Sequence, residues 1–408
     1  MKTCVGVIAF SLAAASTSAQ TQPSAVNTPA DVVGFLMTNR AVVTCAREPG
    51  GVCPADRDAA EAARDTVTRA LLVSLATVPI ATSSSGFVYR LDPELGTMTR
   101  VSDSFGTFFV ERAMTSGRGR TSFGVSGTTA AYDRLDGFNL RDGTLITTAN
   151  QFRDEGAPFD TEALTLKLRT STMTIFGSYG VTDRFEIGGA VPLVQLHLEG
   201  SRLEVYRGEL RPQAGAVADA SGIADVAVRG KYTVVSTPHG GAAAAAELRL
   251  PTGDETSLLG TGHPALRLLA IGSLEQPHVG VHGYVGIVQG GASDEYSAGG
   301  ALTLAVTPRV TATGEFLFRR LSSLHTIGAA SKVHPTFVGR DPLTGDPVPV
   351  DTMRLLPGDK TTSLSTMVTG FKWNAKASMV LTGQIQWRIG DGGLTAPFTP
   401  TLSFDYLF

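Results

Sequence analysis

Between about Gly119 and Phe408 the chain repeats one theme: apolar and polar residues alternate over short stretches until Gly, Pro, Asn or Asp breaks the run. A period of two is what a strand with unlike faces requires, and no other feature of the sequence constrains the fold as much. Twelve such segments can be read, the first over residues 119–133 and the last over 398–408. Within them, charge and apolar bulk take opposite parities. Leu164, Leu166 and Leu168 alternate with Lys167 and Arg169, and Val226, Val228, Tyr232 and Val234 with Asp225, Arg229 and Lys231. Leu248 and Leu250 alternate with Glu247 and Arg249, and Phe316 and Phe318 with Glu315 and Arg319. A charged side chain on lipid at mid-depth costs roughly 2–4 kcal/mol, so this separation predicts a sheet with hydrocarbon on one face and water on the other. The expected fold is all-β: a transmembrane antiparallel β-barrel of about 12 strands, an even number that brings both chain ends to one side, with a short N-terminal helical segment.

The connections support the same architecture. Tight turns such as Val181-Thr182-Asp183, Thr237-Pro238-His239-Gly240 and Thr307-Pro308-Arg309 mostly alternate with longer links over residues 134–163, 199–221, 251–263 and 322–361. Membrane barrels place short turns at one rim and long loops at the other, whereas a soluble sandwich has no reason to do so. Only 17% of residues are charged and the formal net charge is -3. Yet the longest apolar stretch after the first twenty residues, about 71–81, is far short of the ~18 a spanning helix needs. No basic patch suited to phosphates appears, which argues against a nucleic-acid partner.

The first residues read as an export signal: Lys2, an apolar run over 5–15, then Thr17-Ser18-Ala19, with cleavage expected after Ala19. Cys4 falls within that segment. Cys45 and Cys53 lie eight positions apart and are a candidate disulfide in an oxidising compartment, with two independent thiols as the alternative. An Ala-rich helix is expected at about 55–78. The organisation that follows is a signal peptide over 1–19, a periplasmic or plug segment over 20–115, and the barrel over 116–408.

The last strand, with Leu402, Phe404, Tyr406 and Phe408 on alternate positions, resembles the C-terminal segment that barrel assembly machinery reads. Tyr179-Gly180-Val181-Thr182-Asp183-Arg184-Phe185 through Gly188, followed by Pro192-Leu193, resembles a hairpin of the family named for a meta-pathway of phenol degradation, a group of outer-membrane, transporter-like barrels. Gly222 to Val226 with Arg229, Lys231 and Tyr232 is similar to that family's "GxGDxxxxxKY" strand. Leu250-Pro251-Thr252-Gly253-Asp254 with Gly260-Thr261-Gly262 is similar to its "PTG…GTG" loop. Ala224 and Gly230 depart from the pattern. The resemblance covers roughly residues 105–408 and implies a barrel that handles small, hydrophobic or aromatic molecules at a Gram-negative outer membrane.

No catalytic centre is legible. There is no Gly-x-Ser-x-Gly elbow, Gly260-Thr261-Gly262 lacks the third glycine and helix of a dinucleotide loop, and the seven histidines lack metal-ligand spacing. No metal or cofactor is expected. The residues expected to line the lumen are Lys167, Arg169, Glu186, Asp225, Arg229, Lys231, Glu247, Arg249, Arg267, Glu315 and Arg319. The expected partners are outer-membrane lipid, the barrel assembly machinery acting on the strand that ends at Phe408, and a small-molecule solute. Three rivals remain open: a surface scaffold using the 322–361 loop, a barrel-embedded hydrolase, and a soluble exported β-protein.

Overall fold

The computed structural model describes residues 26–38, 54–76, 89–92, 97–100, 104–153, 158, 160–206, 209–376 and 378–408. The expected signal segment and all three cysteines, Cys4, Cys45 and Cys53, lie outside the described residues.

Twelve antiparallel staves close into a barrel. They are β1 (Thr121–Tyr132), β2 (Asp160–Gly180), β3 (Phe185–Tyr206), β4 (Glu209–Ile223 continuing as Val226–Thr237), β5 (Gly240–Leu250) and β6 (Ala265–Glu275). There follow β7 (Val279–Gly290), β8 (Glu295–Thr307), β9 (Val310–Arg340), β10 (Pro347–Lys376), β11 (Met379–Ile389) and β12 (Phe398–Leu407). The main sheet has fourteen hydrogen-bonded segments; two are the halves of β4 and one is a short extra strand, Leu145–Phe152, leaving twelve. The seam runs from Thr401↔Thr128 to Leu407↔Ser122 and closes the ring at the height of the shorter staves.

The turns at one rim explain the register. Thr182 folds its turn by accepting, at Oγ1, the N–H groups of Arg184 (3.2 Å) and Phe185 (2.9 Å). Gly240 has φ +148°, and a Cβ there would lie 2.0 Å from the Ser273 carbonyl, so only glycine fits this corner.

The opposite, loop rim is uneven. Residues expected as loops over 199–221 and 322–361 are largely strand: β3 runs to Tyr206 and β4 begins at Glu209, while β9 runs on to Arg340 and β10 begins at Pro347. These long staves remain paired to one another well above the shorter β5–β8, β11 and β12. Leu145–Phe152 bridges the gap between β2 and β10, completing a six-stranded upper wall.

Polarity inverts along the tall staves. In the lower part of β3, Phe185, Ile187, Val191 and Leu193 point outward, while in the upper part Gln195, His197 and Glu199 do so. Nine residues at ~3.3 Å each, tilted ~40°, give an apolar belt roughly 20–25 Å high, the height of a hydrocarbon core in such barrels. Tyr179, Phe185, Tyr232 and Trp373 stand on the outer face near the turn rim, as an interfacial girdle does. Trp387 and Phe398 stand toward the other rim with ring centroids 6.5 Å apart.

Above the belt the inner face becomes apolar. Leu164, Leu166, Leu168, Leu196 and Leu198 are buried there with Val32, Val33 and Leu36 of helix α1 (Pro29–Thr38) and Val67 and Leu71 of helix α2 (Pro54–Ala76). The Thr28-Pro29-Ala30-Asp31 start of α1 is a reciprocal cap: Asp31 N–H donates to Thr28 Oγ1 at 3.2 Å, and Thr28 N–H to the Asp31 carboxylate at 3.0 Å, with Pro at the first helical position. α1 lies against β3 and the upper part of β4. Ala214, Ala216 and Ala218 present small side chains there, and a Cβ on Gly200 would sit 2.4 Å from Leu36 Cδ1. Wall arginines reach both helix ends, where carbonyls are unpaired and the dipole is negative. Arg202 donates to the Leu36 carbonyl at 2.8 Å, and Arg249 reaches the Ala76 carbonyl at 3.5 Å. No helix among the described residues is long and apolar enough to cross a membrane.

Candidate functional site: a doubly filled lumen

Below the helices, residues 104–118 thread the lumen as an irregular strap gripped mainly through its backbone. The Glu315 carboxylate accepts three successive N–H groups, from Phe108, Phe109 at 2.9 Å and Val110 at 3.1 Å. Lys372 donates to the Thr107 carbonyl at 2.6 Å, Lys231 to the Met114 carbonyl at 3.1 Å, and Thr233 to the Ala113 carbonyl at 2.7 Å. Glu186 accepts both the N–H and the hydroxyl of Ser116 at 2.8 and 2.7 Å. Two charged strap side chains find ionic partners on the wall: Arg112 lies 3.2 Å from Glu275 in a fully enclosed pair, and Glu111 meets Arg229. Phe108, Phe109 and Val110 pack on Ala243, Ala245, Leu269, Ile271 and Leu317. Buried charges persist only when paired or hydrogen-bonded, and here the strap itself provides the partners.

Between strap and helices lies a cavity of about 200 Å³. Phe109 forms its floor and Ser74 to Ala76 of α2 part of its roof. One wall is rich in hydroxyl and amide groups, with Thr128, Thr170, Thr172, Thr174, Thr401 and Gln384, and carries Arg388, paired with Asp133 at 3.0 Å; the other presents Arg249, Arg319 and Leu317. The arginines do not stand free: Arg249 lies 3.1 Å from Glu247, and Arg319 Nε donates to Glu295 at 2.9 Å. Arg267 lies over the Tyr284 ring, 5.3 Å from its centre.

The residues expected to line the lumen therefore divide into four groups. Glu186, Arg229, Lys231 and Glu315 face inward and hold the strap. Glu247, Arg249, Arg267 and Arg319 face inward: Arg249 and Arg319 line the cavity, Arg267 a smaller pocket beside it, and Glu247 pairs with Arg249. Asp225 faces inward but works as a latch. Its carboxylate accepts the Gly253 N–H at 3.1 Å and both the N–H and hydroxyl of Thr261 at 2.9 Å, while Thr252 bridges Ala224 and Val226. Two motifs far apart in sequence thus form one knot that folds the 251–264 loop over the lumen, with Leu258 and Leu259 in the inner core.

Lys167 and Arg169 correct the expectation. Both project from the outer surface, Lys167 paired with Glu199 at 2.9 Å, and the leucines between them point inward. Alternation alone could not decide this, because above the belt water lies outside and the helices lie inside, so polarity swaps while parity does not.

Sequence reasoning also passed over several inward charges. Lys372 stands between Phe371 and Trp373, and its parity would have identified it. Glu275 reads as a turn residue, and nothing in residues 104–118 signals a lumen-filling strap. Among the described residues no cluster of His, Cys, Asp or Glu suits a metal ion.

No family model matches the chain, and no curated protein matches it. Among solved structures, it is similar to the transport unit of the autotransporter AIDA-I from Escherichia coli, at 9% identity and a TM-score of 0.38 over 71% of this chain and 90% of that one. It is also similar to a Pseudomonas aeruginosa FadL homologue, at 10% identity and a TM-score of 0.31 over 71% and 90% of the two chains. The CymD monoaromatic hydrocarbon channel aligns at 9% identity and a TM-score of 0.26 over 72% and 89%. Likeness at this level carries no argument, and the closed barrel rests on its own hydrogen-bond register.

Proposed function

We propose that this protein is a channel for small solutes in the outer membrane of a Gram-negative bacterium, in which the strap governs passage through the lumen. The observation that carries the proposal is a closed barrel with an apolar outer belt whose lumen holds a cavity between two separately anchored fillings. A dry cavity of ~150 Å³ admits a benzene-sized molecule, so about 200 Å³ suits a small, partly apolar solute able to hydrogen-bond threonine hydroxyls. The resemblance of Tyr179–Gly188 and of the Asp225 latch to the phenol-degradation family favours the same class. Lipid meets the belt, and the strand ending at Phe408 presents alternating outward aromatics to the assembly machinery.

Planar-bilayer recording tests the proposal. The full chain should conduct rarely, and Glu315→Gln with Lys372→Gln, which loosens the strap, should raise open probability several-fold. A barrel of both forms that never conducts, while running heat-modifiably as a folded species, overturns the channel reading. The projecting β9–β10 hairpin, with Leu343 94% exposed at its tip, favours a second reading as a surface-binding barrel. In that case, deleting residues 341–346 abolishes partner capture at unchanged permeability.

A further inference from the structure

The outer surface carries a second concavity where the belt ends. A groove of about 740 Å³ crosses β1 to β4 just above the apolar band, floored by small side chains, Thr129, Ala131, Ser171 and Ser221. Pro397, Phe398 and Pro400 form an apolar edge along β12. The groove's ionisable residues are Arg141, Arg169, His197 and Asp219.

Pairing separates these charges. His197 and Asp219 satisfy one another at 2.7 Å, and next to them Lys167 is taken by Glu199. Around the same rim Arg134 pairs with Asp391, Arg153 with Asp351 and Arg211 with Glu209. Arg141 and Arg169 are exceptions: among the described residues no carboxylate lies within ion-pair distance of either. Arg141 spends one Nη on the Tyr132 carbonyl at 3.2 Å. Tyr132 follows Ala131, which stands opposite Arg169 in the β1–β2 register. Two guanidinium groups with spare donors therefore line one trough, whose edge along β12 is apolar. A planar guanidinium matches phosphate oxygens, and cations at the membrane surface favour anionic headgroups by about 1 kcal/mol each.

We propose that this groove binds the phosphate of a phosphorylated, multiply acylated glycolipid in the leaflet at the loop rim, with Arg141 and Arg169 on the phosphate and Phe398 against an acyl chain. The inference rests on the barrel lying in a membrane, which flotation with vesicles tests separately. The apolar edge is what favours a lipid over free phosphate. Native mass spectrometry of the full-length protein distinguishes the sources, using a bisphosphorylated, acylated glucosamine disaccharide lipid, the same lipid stripped of phosphate, and inorganic phosphate as competitor.

The phosphorylated lipid should be retained at least about tenfold better than the stripped one. Arg141→Gln with Arg169→Gln should erase that preference, Lys167→Gln should not, and inorganic phosphate should compete poorly. If the double variant folds badly, Arg169→Gln alone should still lower retention several-fold. Equal retention of both lipids, an unaffected arginine variant, or full displacement by inorganic phosphate overturns the assignment. Failure to float overturns the membrane reading itself, whereas flotation without phosphate preference overturns only this one.

Discussion

Single side chains in this barrel do work that no local pattern announces. Gly200 is the contact point between wall and α1: a valine there would drive into Leu36 and Leu166. Gly200→Val should cost about 1–3 kcal/mol, read as a lowered unfolding midpoint with new protease cleavage in α1. Asp225 holds three donors of the folded-over loop. Asp225→Ala leaves buried N–H groups without an acceptor and should cost about 1–3 kcal/mol, with faster proteolysis within 251–264. The resemblance singled out Asp225, Gly253 and Thr261 as motif residues, but their meeting was invisible until the barrel's curvature brought the β4 break beneath the loop. The break itself shifts inward parity from even positions such as Ala218 to odd ones such as Ala227, which explains why no single alternation spans β4.

At the level of elements, the twelve staves were legible because period-2 alternation is a direct image of a two-faced sheet. Their full length was not legible. Sequence such as Gly200 to Tyr206 or Ser322 to Arg340 alternates weakly, since above the belt both faces tolerate mixed side chains once helices pack inside and water lies outside. The same inversion assigns different costs to similar changes. Val228 is half exposed on the lipid face of β4, so Val228→Arg should cost about 2–4 kcal/mol in vesicle-based urea unfolding. Lys167→Leu, above the belt, loses only a surface ion pair worth about 0–1 kcal/mol. Equal penalties at the two sites would show that the belt has been drawn at the wrong height. The helices were readable in part, α2 from its Ala-rich stretch and α1 hardly at all, although Thr28-Pro29-Ala30-Asp31 carries a recognisable start signal.

Across the whole molecule, the loop rim is tied together by Asp136. Its carboxylate accepts the Gly393 N–H at 2.6 Å and the Ile327 N–H at 2.9 Å, joining the first loop, the last loop and β9. Burial pushes its pKa above the usual aspartate value, against the pull of those two N–H groups. A raised folded-state pKa means that the folded rim binds the proton more tightly than the unfolded chain does. Its contribution is therefore complete below the ordinary aspartate pKa, about 3.9, and is lost as pH rises through the elevated value. Hydrogen exchange at Gly393 and Ile327, corrected for intrinsic rates, should show more protection in mild acid than at neutrality, and Asp136→Asn should flatten the dependence. An unchanged profile in the variant would assign the effect to another group.

The strap precedes the first stave in the chain, yet it ends up enclosed by all twelve. Phe408 N–H bonds to the Thr121 carbonyl at 2.8 Å, so the two ends of the wall are stitched directly beside the point where the strap dives inside. Assembly is thus a packaging problem. Either the leading segment is already lodged against the nascent wall when the seam zips, or it must be drawn through the turn rim afterwards, and the order chosen decides whether the newborn barrel is ever briefly hollow.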